Sequence, residues 1–111
     1  MPFATSSWDR VFRNITEAEF DAAVANGRAL VDFWATWCGP CQMQGLLLEQ
    51  KFAPAHPEIE ILKVNVDEQP ALAARFGVQS IPTLLLYRDG KQIANFVGLT
   101  KPDELAAAFA S

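Results

Sequence analysis

Ala29-Leu30-Val31-Asp32-Phe33-Trp34-Ala35, running through Thr36 into Trp37-Cys38-Gly39-Pro40-Cys41, is the stretch that decides the fold. Its first half is almost continuously apolar, the pattern of a strand buried on both faces in a parallel or mixed sheet. The exception is Asp32, a carboxylate in mid-run. Its second half holds the only two cysteines of the chain, with a turn-forming Gly-Pro pair between them. A four-residue turn keeps its end Cα atoms within roughly 7 Å, and a disulfide accepts separations of about 4.4–6.8 Å. The two sulfurs can therefore bond without moving the backbone. So small a loop removes little entropy from the unfolded chain, which makes the bridge a poor staple. A bond that closes easily and stabilises little suits being made and broken.

Outward from this stretch, the pattern alternates strands and helices. Val11-Phe12-Arg13 is a candidate first strand. Thr16 and Glu19 have capping-box spacing, with Ile15 and Phe20 as a flanking hydrophobic staple, so a helix starts there and ends at Asn26-Gly27. Pro40 fits the first turn of a helix that runs on through Met43, Leu46 and Leu47 to about Ala53, where Pro54 and Pro57 stop it. Ile59 to Val66, containing Lys63, reads as the next strand. A short helix over Ala71–Phe76 closes at Gly77. Leu84 to Tyr87 is a third buried strand, joined through the hairpin signal Asp89-Gly90 to Ile93–Val97. A last helix has Pro102 in its first turn and Leu105 and Phe109 facing inward. The order is βαβαβαββα, an α/β three-layer sandwich with a central mixed sheet.

The 111 residues provide for one domain over 1–111, with residues 1–10 expected as a partly flexible N-terminal segment in which Trp8 packs at the end. A net charge of −4 without any Lys/Arg cluster argues against nucleic-acid binding. No apolar run approaches the ~20 residues of a membrane span. The first residues lack the basic and apolar regions of a secretory signal, so a reducing, cytoplasmic setting is expected. A closed structural zinc site takes four ligands, which two cysteines and the single His56, a surface loop residue between prolines, do not supply. No metal and no bound cofactor are expected, and a monomer is the default.

A C-x-x-C beside a βαβ pattern, in a chain without a secretion signal, is a redox signature. With Val31-Asp32-Phe33-Trp34-Ala35, Trp37-Cys38-Gly39-Pro40-Cys41, Ile81-Pro82-Thr83, Gly90 and Val97-Gly98, the chain resembles the thioredoxin family from about Val11 to its C-terminus. The resemblance implies the thioredoxin fold and a protein-disulfide reductase that acts on disulfide-containing proteins and is returned by an NADPH-dependent thioredoxin reductase. Cys38, at a helix N-terminus that favours an anion, becomes the nucleophile, and Cys41, one turn deeper, the resolving thiol. Burial of Asp32 lets it hold a proton near neutrality; the resemblance makes it the base toward Cys41, with Lys63 tuning it. The plainer readings are a hydrogen-bonded core aspartate and a lysine snorkelling to the surface. The resemblance also makes Pro82 a cis proline facing the cysteines, leaving the Ile81 backbone free to pair with an extended substrate. Trp37, Gly39, Pro40, Ile81, Val97 and Gly98 are the implied docking surface, and Trp34 is assigned to packing.

Two positions depart from the family. Leu46 stands where the active-site helix usually has a kinking proline, and Gln42 where a basic residue is common. Both bear on reduction potential and stability, not on the reaction. Rival readings are a permanent staple or inert buried thiols, a binding or chaperone module without turnover, and an oxidant or isomerase of an oxidising compartment. The reductase reading requires the Cys38 sulfur to be ionised and reachable.

Overall fold

Strand β2 (Arg28–Trp34) occupies the centre of a five-stranded sheet ordered β1-β3-β2-β4-β5 in the computed structural model, which describes residues 11–111. The tail expected over residues 1–10, including Trp8, lies outside the described residues. Strand β1 (Phe12–Asn14) is followed by helix α1 (Glu17–Ala23), and β2 by α2 (Gly39–Leu47). Strand β3 (Ile59–Asn65), α3 (Pro70–Arg75), β4 (Thr83–Arg88), β5 (Lys91–Val97) and α4 (Pro102–Ala110) complete the βαβαβαββα order. Strand β2 runs parallel to β3 and antiparallel to β4, so the sheet is mixed, as its near-continuous apolar character requires.

Alternation along the strands divides the interior in two. Ala29, Val31 and Phe33 of β2 point to the side covered by α1 and α3, where Phe20 and Leu72 are fully buried. There the Phe20 ring meets Phe76 at 4.9 Å and the edge of Tyr87 at 5.7 Å. Burying one such ring is worth about 1.5–3 kcal/mol. Leu30 points to the other side, with Leu84, Leu86 and Ile61 against Leu48, Phe52, Leu105 and Phe109. Asp32 shares the parity of Leu30, and Lys63 that of Ile61. Among the described residues, the buried charged pair of the sheet therefore lies on the side of α2 and α4.

Helix α1 starts where the sequence places it. The Glu19 carboxylate accepts from the Thr16 backbone N–H at 2.9 Å and from its hydroxyl at 3.2 Å. These bonds hold the Glu19 carboxyl below its ordinary value. At the β4–β5 hairpin, Asp89 and Gly90 both take positive φ (50° and 84°), as a turn matched to strand twist demands.

The helical run that α2 opens reaches about Ala53, as the sequence places it, with two features of its own. Met43 and Leu46 are 48% and 40% exposed, while Gln44, Gly45 and Leu48 face inward. The helix also continues past Leu47 through a π-helical turn, Leu48–Phe52, and a last turn, Ala53–Ala55, that contains Pro54. Pro54 is near the start of that last turn, where its fixed φ and missing N–H are tolerated. The chain leaves helical geometry at His56 (φ −135°). With Leu46 in place of a proline, the departure from regular α geometry comes two residues later, as a widened turn.

Candidate active site

The end of β2 delivers the chain through Ala35 and Thr36 to the first turn of α2. Cys38 is the N-cap of that helix and Pro40 lies in its first turn. Cys38 and Cys41 are joined by a disulfide with Cα atoms 5.2 Å apart, within the span inferred from the turn. The Cys41 backbone N–H donates to Cys38 Sγ at 3.2 Å. One of the orphan donors of the helix start is thus aimed at the outer sulfur. Cys41, 2% exposed, has no such access to solvent; Cys38 retains 6%. Access to Cys38 is narrower than a fully open nucleophile would have, because in the oxidised pair both sulfurs pack with Ala35 beneath Trp34, Val66 and Ile81.

The Ile81–Pro82 peptide bond is cis, and the Ile81 carbonyl oxygen lies 3.7 Å from Cys38 Sγ. Next to it, the Gly98 N–H donates to the Pro82 carbonyl at 2.8 Å. Around the disulfide, Gly39 and Pro40 are exposed, Ile81 and Gly98 half-buried, and Trp37 and Val97 69% and 64% exposed. Two large apolar side chains thus face water around the disulfide. The Trp37 ring is held by its Nε1–H, which donates to Asp67 Oδ2 at 2.8 Å. Asp67 turns back through the Asn65 side chain, whose Oδ1 accepts from the Asp67 and Glu68 N–H groups. Gln42, at the position where a basic residue is common, donates from Nε2 to the Thr36 carbonyl at 3.3 Å and so ties the loop before the cysteines to α2.

Asp32 is completely buried and accepts from Lys63 Nζ at 2.8 Å through Oδ2. The lysine does not snorkel outward. It is 3% exposed, with its ammonium 4.9 Å from the ring centres of Phe12 and Trp34. The two residues face each other in the β2–β3 register. Among the described residues, no group pairs with Asp32 Oδ1. Burial pushes the Asp32 carboxyl above its ordinary range, and the Lys63 charge offsets only part of this. The arrangement is a buried carboxyl raised above its ordinary value, on the sheet face that α2 covers. His56 stands apart, stacked on Phe52 and 3.6 Å from Glu58. Among the described residues, no group of three or more His, Cys, Asp or Glu side chains could hold a metal ion.

Sequence reasoning missed Asp67 and a second buried polar contact. Gln44, with no exposed surface, donates from Nε2 to the Thr100 carbonyl at 3.0 Å, and its Oε1 accepts the Thr100 N–H at 2.8 Å. Neither residue type announces this contact, since one partner is backbone.

Comparison with known proteins agrees with this geometry. The family model described as Thioredoxin matches residues 11–111. Thioredoxins of Staphylococcus aureus, strain N315 among them, are 47% identical over 92 residues, covering 83% of this chain and 88% of theirs. The oxidised form of mitochondrial thioredoxin 3 from Saccharomyces cerevisiae superposes with a TM-score of 0.83 at 33% identity, covering 95% of this chain and 98% of that one. Malassezia sympodialis thioredoxin gives 0.77 at 35% identity, over 89% and 90% of the two chains. With the family model spanning every described residue and relatives this similar, the chain belongs to the thioredoxin family.

Proposed function

We propose that this chain, as a dithiol–disulfide oxidoreductase, reduces target proteins through Cys38 as nucleophile and Cys41 as resolving thiol. The Cys41 N–H aimed at Cys38 Sγ carries the assignment, because it favours negative charge on that sulfur. The Cys38 thiolate attacks one sulfur of a target disulfide. A mixed disulfide forms, and the other target sulfur leaves as thiolate and takes up a proton. Cys41 then loses its proton to Asp32 and attacks Cys38 Sγ. The Cys38–Cys41 disulfide forms, and the second target thiolate departs, so two electrons have passed to the target.

Asp32 suits the base role because its raised carboxyl lies under the helix that holds Cys41. Lys63 limits how far burial raises it. The rim of Trp37, Gly39, Pro40, Ile81, Val97 and Gly98 is the docking surface, and the Ile81 backbone pairs with the extended target chain beside Pro82. The oxidised protein is returned by an NADPH-dependent thioredoxin reductase. It works as a monomer in a reducing, cytoplasmic compartment, without bound cofactor. Among the described residues no helix is long and apolar enough to cross a membrane. One solved neighbour, a chain with a TM-score of 0.82 at 33% identity covering 95% of this chain and 98% of that one, comes from work on thiol resolution of a yeast mitochondrial 1-Cys peroxiredoxin via glutathione/thioredoxin systems. Peroxide-oxidised thiol proteins are accordingly one target class to try first.

Reduction of a cyclic disulfide peptide tests the mechanism. Cys38→Ser loses at least about a thousandfold in rate, while Cys41→Ser accumulates a mixed disulfide visible by mass spectrometry. Turnover retained in Cys38→Ser rejects the mechanism.

A further inference from the structure

We propose that Gln44 is a positioning residue for substrate docking: its side-chain amide clamps the loop that carries Val97 and Gly98 to the helix that carries the cysteines. The inference rests on the docking role given above to Val97 and Gly98. Those residues stand between two anchors. On the strand side, Val97 pairs with Thr83, and Gly98 N–H donates to the Pro82 carbonyl at 2.8 Å. On the far side, the loop is tied at Thr100. The Thr100 hydroxyl donates back to the Gly98 carbonyl at 2.9 Å, and the Thr100 N–H and C=O are both taken by Gln44.

The amide orientation is fixed by this arrangement. Only an acceptor oxygen can receive the N–H, and only the NH₂ can donate to the carbonyl. Gln44 is one helical turn beyond Cys41 and has no exposed surface, so its amide is beyond the reach of a docked peptide. It acts on the substrate only through the loop. The hydrogen-bonded route Pro82–Gly98–Thr100–Gln44 joins the proline loop, the docking loop and the active-site helix in one frame. Gly98 itself adopts φ +90° and supplies no stiffness of its own. Without the clamp, the Thr100 backbone groups are buried and unmatched unless the loop moves outward to find water. That movement displaces the docking surface relative to Cys38 but leaves the cysteines, Cys41 N–H and Asp32 in place.

The signature is a rise in KM for a substrate that spans the loop, without loss of chemistry. Gln44→Met keeps side-chain length and removes both polar atoms. With a cyclic disulfide peptide bearing apolar residues beside the bridge, its KM rises about tenfold with kcat within about twofold. With hydroxyethyl disulfide, which has no chain to dock, its rate stays within about twofold. Gln44→Glu supplies the rescue. At pH 5 a protonated carboxyl offers one acceptor and one donor, so its KM lies within about threefold of the native chain at that pH, and it departs from native at pH 8. A folded Gln44→Met variant with native KM overturns the inference, as does an equal loss on both substrates. Val97→Asp separates the two readings. A KM raised by Val97→Asp and unmoved by Gln44→Met overturns the clamp alone; a KM unmoved by either removes the docking role of the loop as well. Should Gln44→Met not fold, hydrogen exchange of the native chain decides. A slowly exchanging Thr100 amide supports the clamp, and one that exchanges as fast as the exposed Lys101 amide overturns it.

Discussion

Asp32–Lys63 and Gln44–Thr100 are both buried polar contacts at the redox end of the molecule, and they are built on opposite principles. The first pairs two charges across neighbouring strands and leaves one carboxylate oxygen without a partner. The second pairs a neutral amide with a backbone N–H and C=O and leaves neither amide end unsatisfied. A buried charge costs far more than a buried, matched amide. The mismatched pair therefore responds to pH, as the proton-accepting role proposed for Asp32 requires. The matched pair is indifferent to pH and suits a group whose work is to stay where it is.

Three experiments act on this contrast. The largest effect is expected from Asp32→Asn, which keeps the shape of the pair and removes the proton acceptor. Peptide-disulfide turnover at pH 7 falls about a hundredfold, with mixed disulfide accumulating. The deficit shrinks toward pH 9, where Cys41 ionises without help. A pH–rate profile for both proteins checks this, and turnover within twofold of native at pH 7 removes Asp32 from the mechanism.

Gln44→Glu breaks the contrast by giving the clamp the character of the ion pair. A carboxylate there faces the Thr100 carbonyl, so its folded-state pKa lies above that of the unfolded chain. Its stability is present at acid pH and is lost as pH rises through that value. Urea unfolding should give a variant roughly 1–3 kcal/mol weaker at pH 8 than at pH 4, relative to the native chain. No pH dependence in that difference means that the Gln44 pocket is not dry.

The smallest effect belongs to the native pair, because Lys63 offsets part of the burial. The Asp32 carboxyl is raised, so its contribution is complete below the ordinary carboxylate range and declines as pH climbs through the raised value. Glu19 has the opposite sign: its contribution is present above the ordinary range and lost as pH falls. Urea midpoints measured upward from pH 5 isolate the Asp32 limb. It should be present in the native chain and absent in Asp32→Asn; equal slopes contradict a raised Asp32 carboxyl.

The contrast also explains what could be read from the sequence. Thr16 and Glu19 are three residues apart, so their contact is local and visible as a pattern. Cys38 and Cys41 are equally local. Asp32 stands out because six apolar neighbours surround it between Ala29 and Ala35. Lys63 carries no such signal, since a lysine in a strand can reach water as easily as a partner. Only the register that sets Lys63 opposite Asp32 decides between them. Gln44 carries no signal of its own between Met43 and Gly45, yet it is buried while Met43 is exposed. Its partner is 56 residues away and is backbone, which leaves no mark on residue type. The widened turn Leu48–Phe52 was equally hidden, because no residue identity encodes an i to i+5 bond.

The opposition of Asp32 and Lys63 has a further consequence, for assembly of the sheet. Strands as oily as β2 and β3 could slide past each other with little change in apolar contact. Moving β3 by a single residue turns Lys63 toward the α1 and α3 side, among Phe20, Val31 and Leu72, and strands Asp32 without its cation. A slipped register breaks this buried pair, so the pair raises the cost of misaligning β3 beside β2.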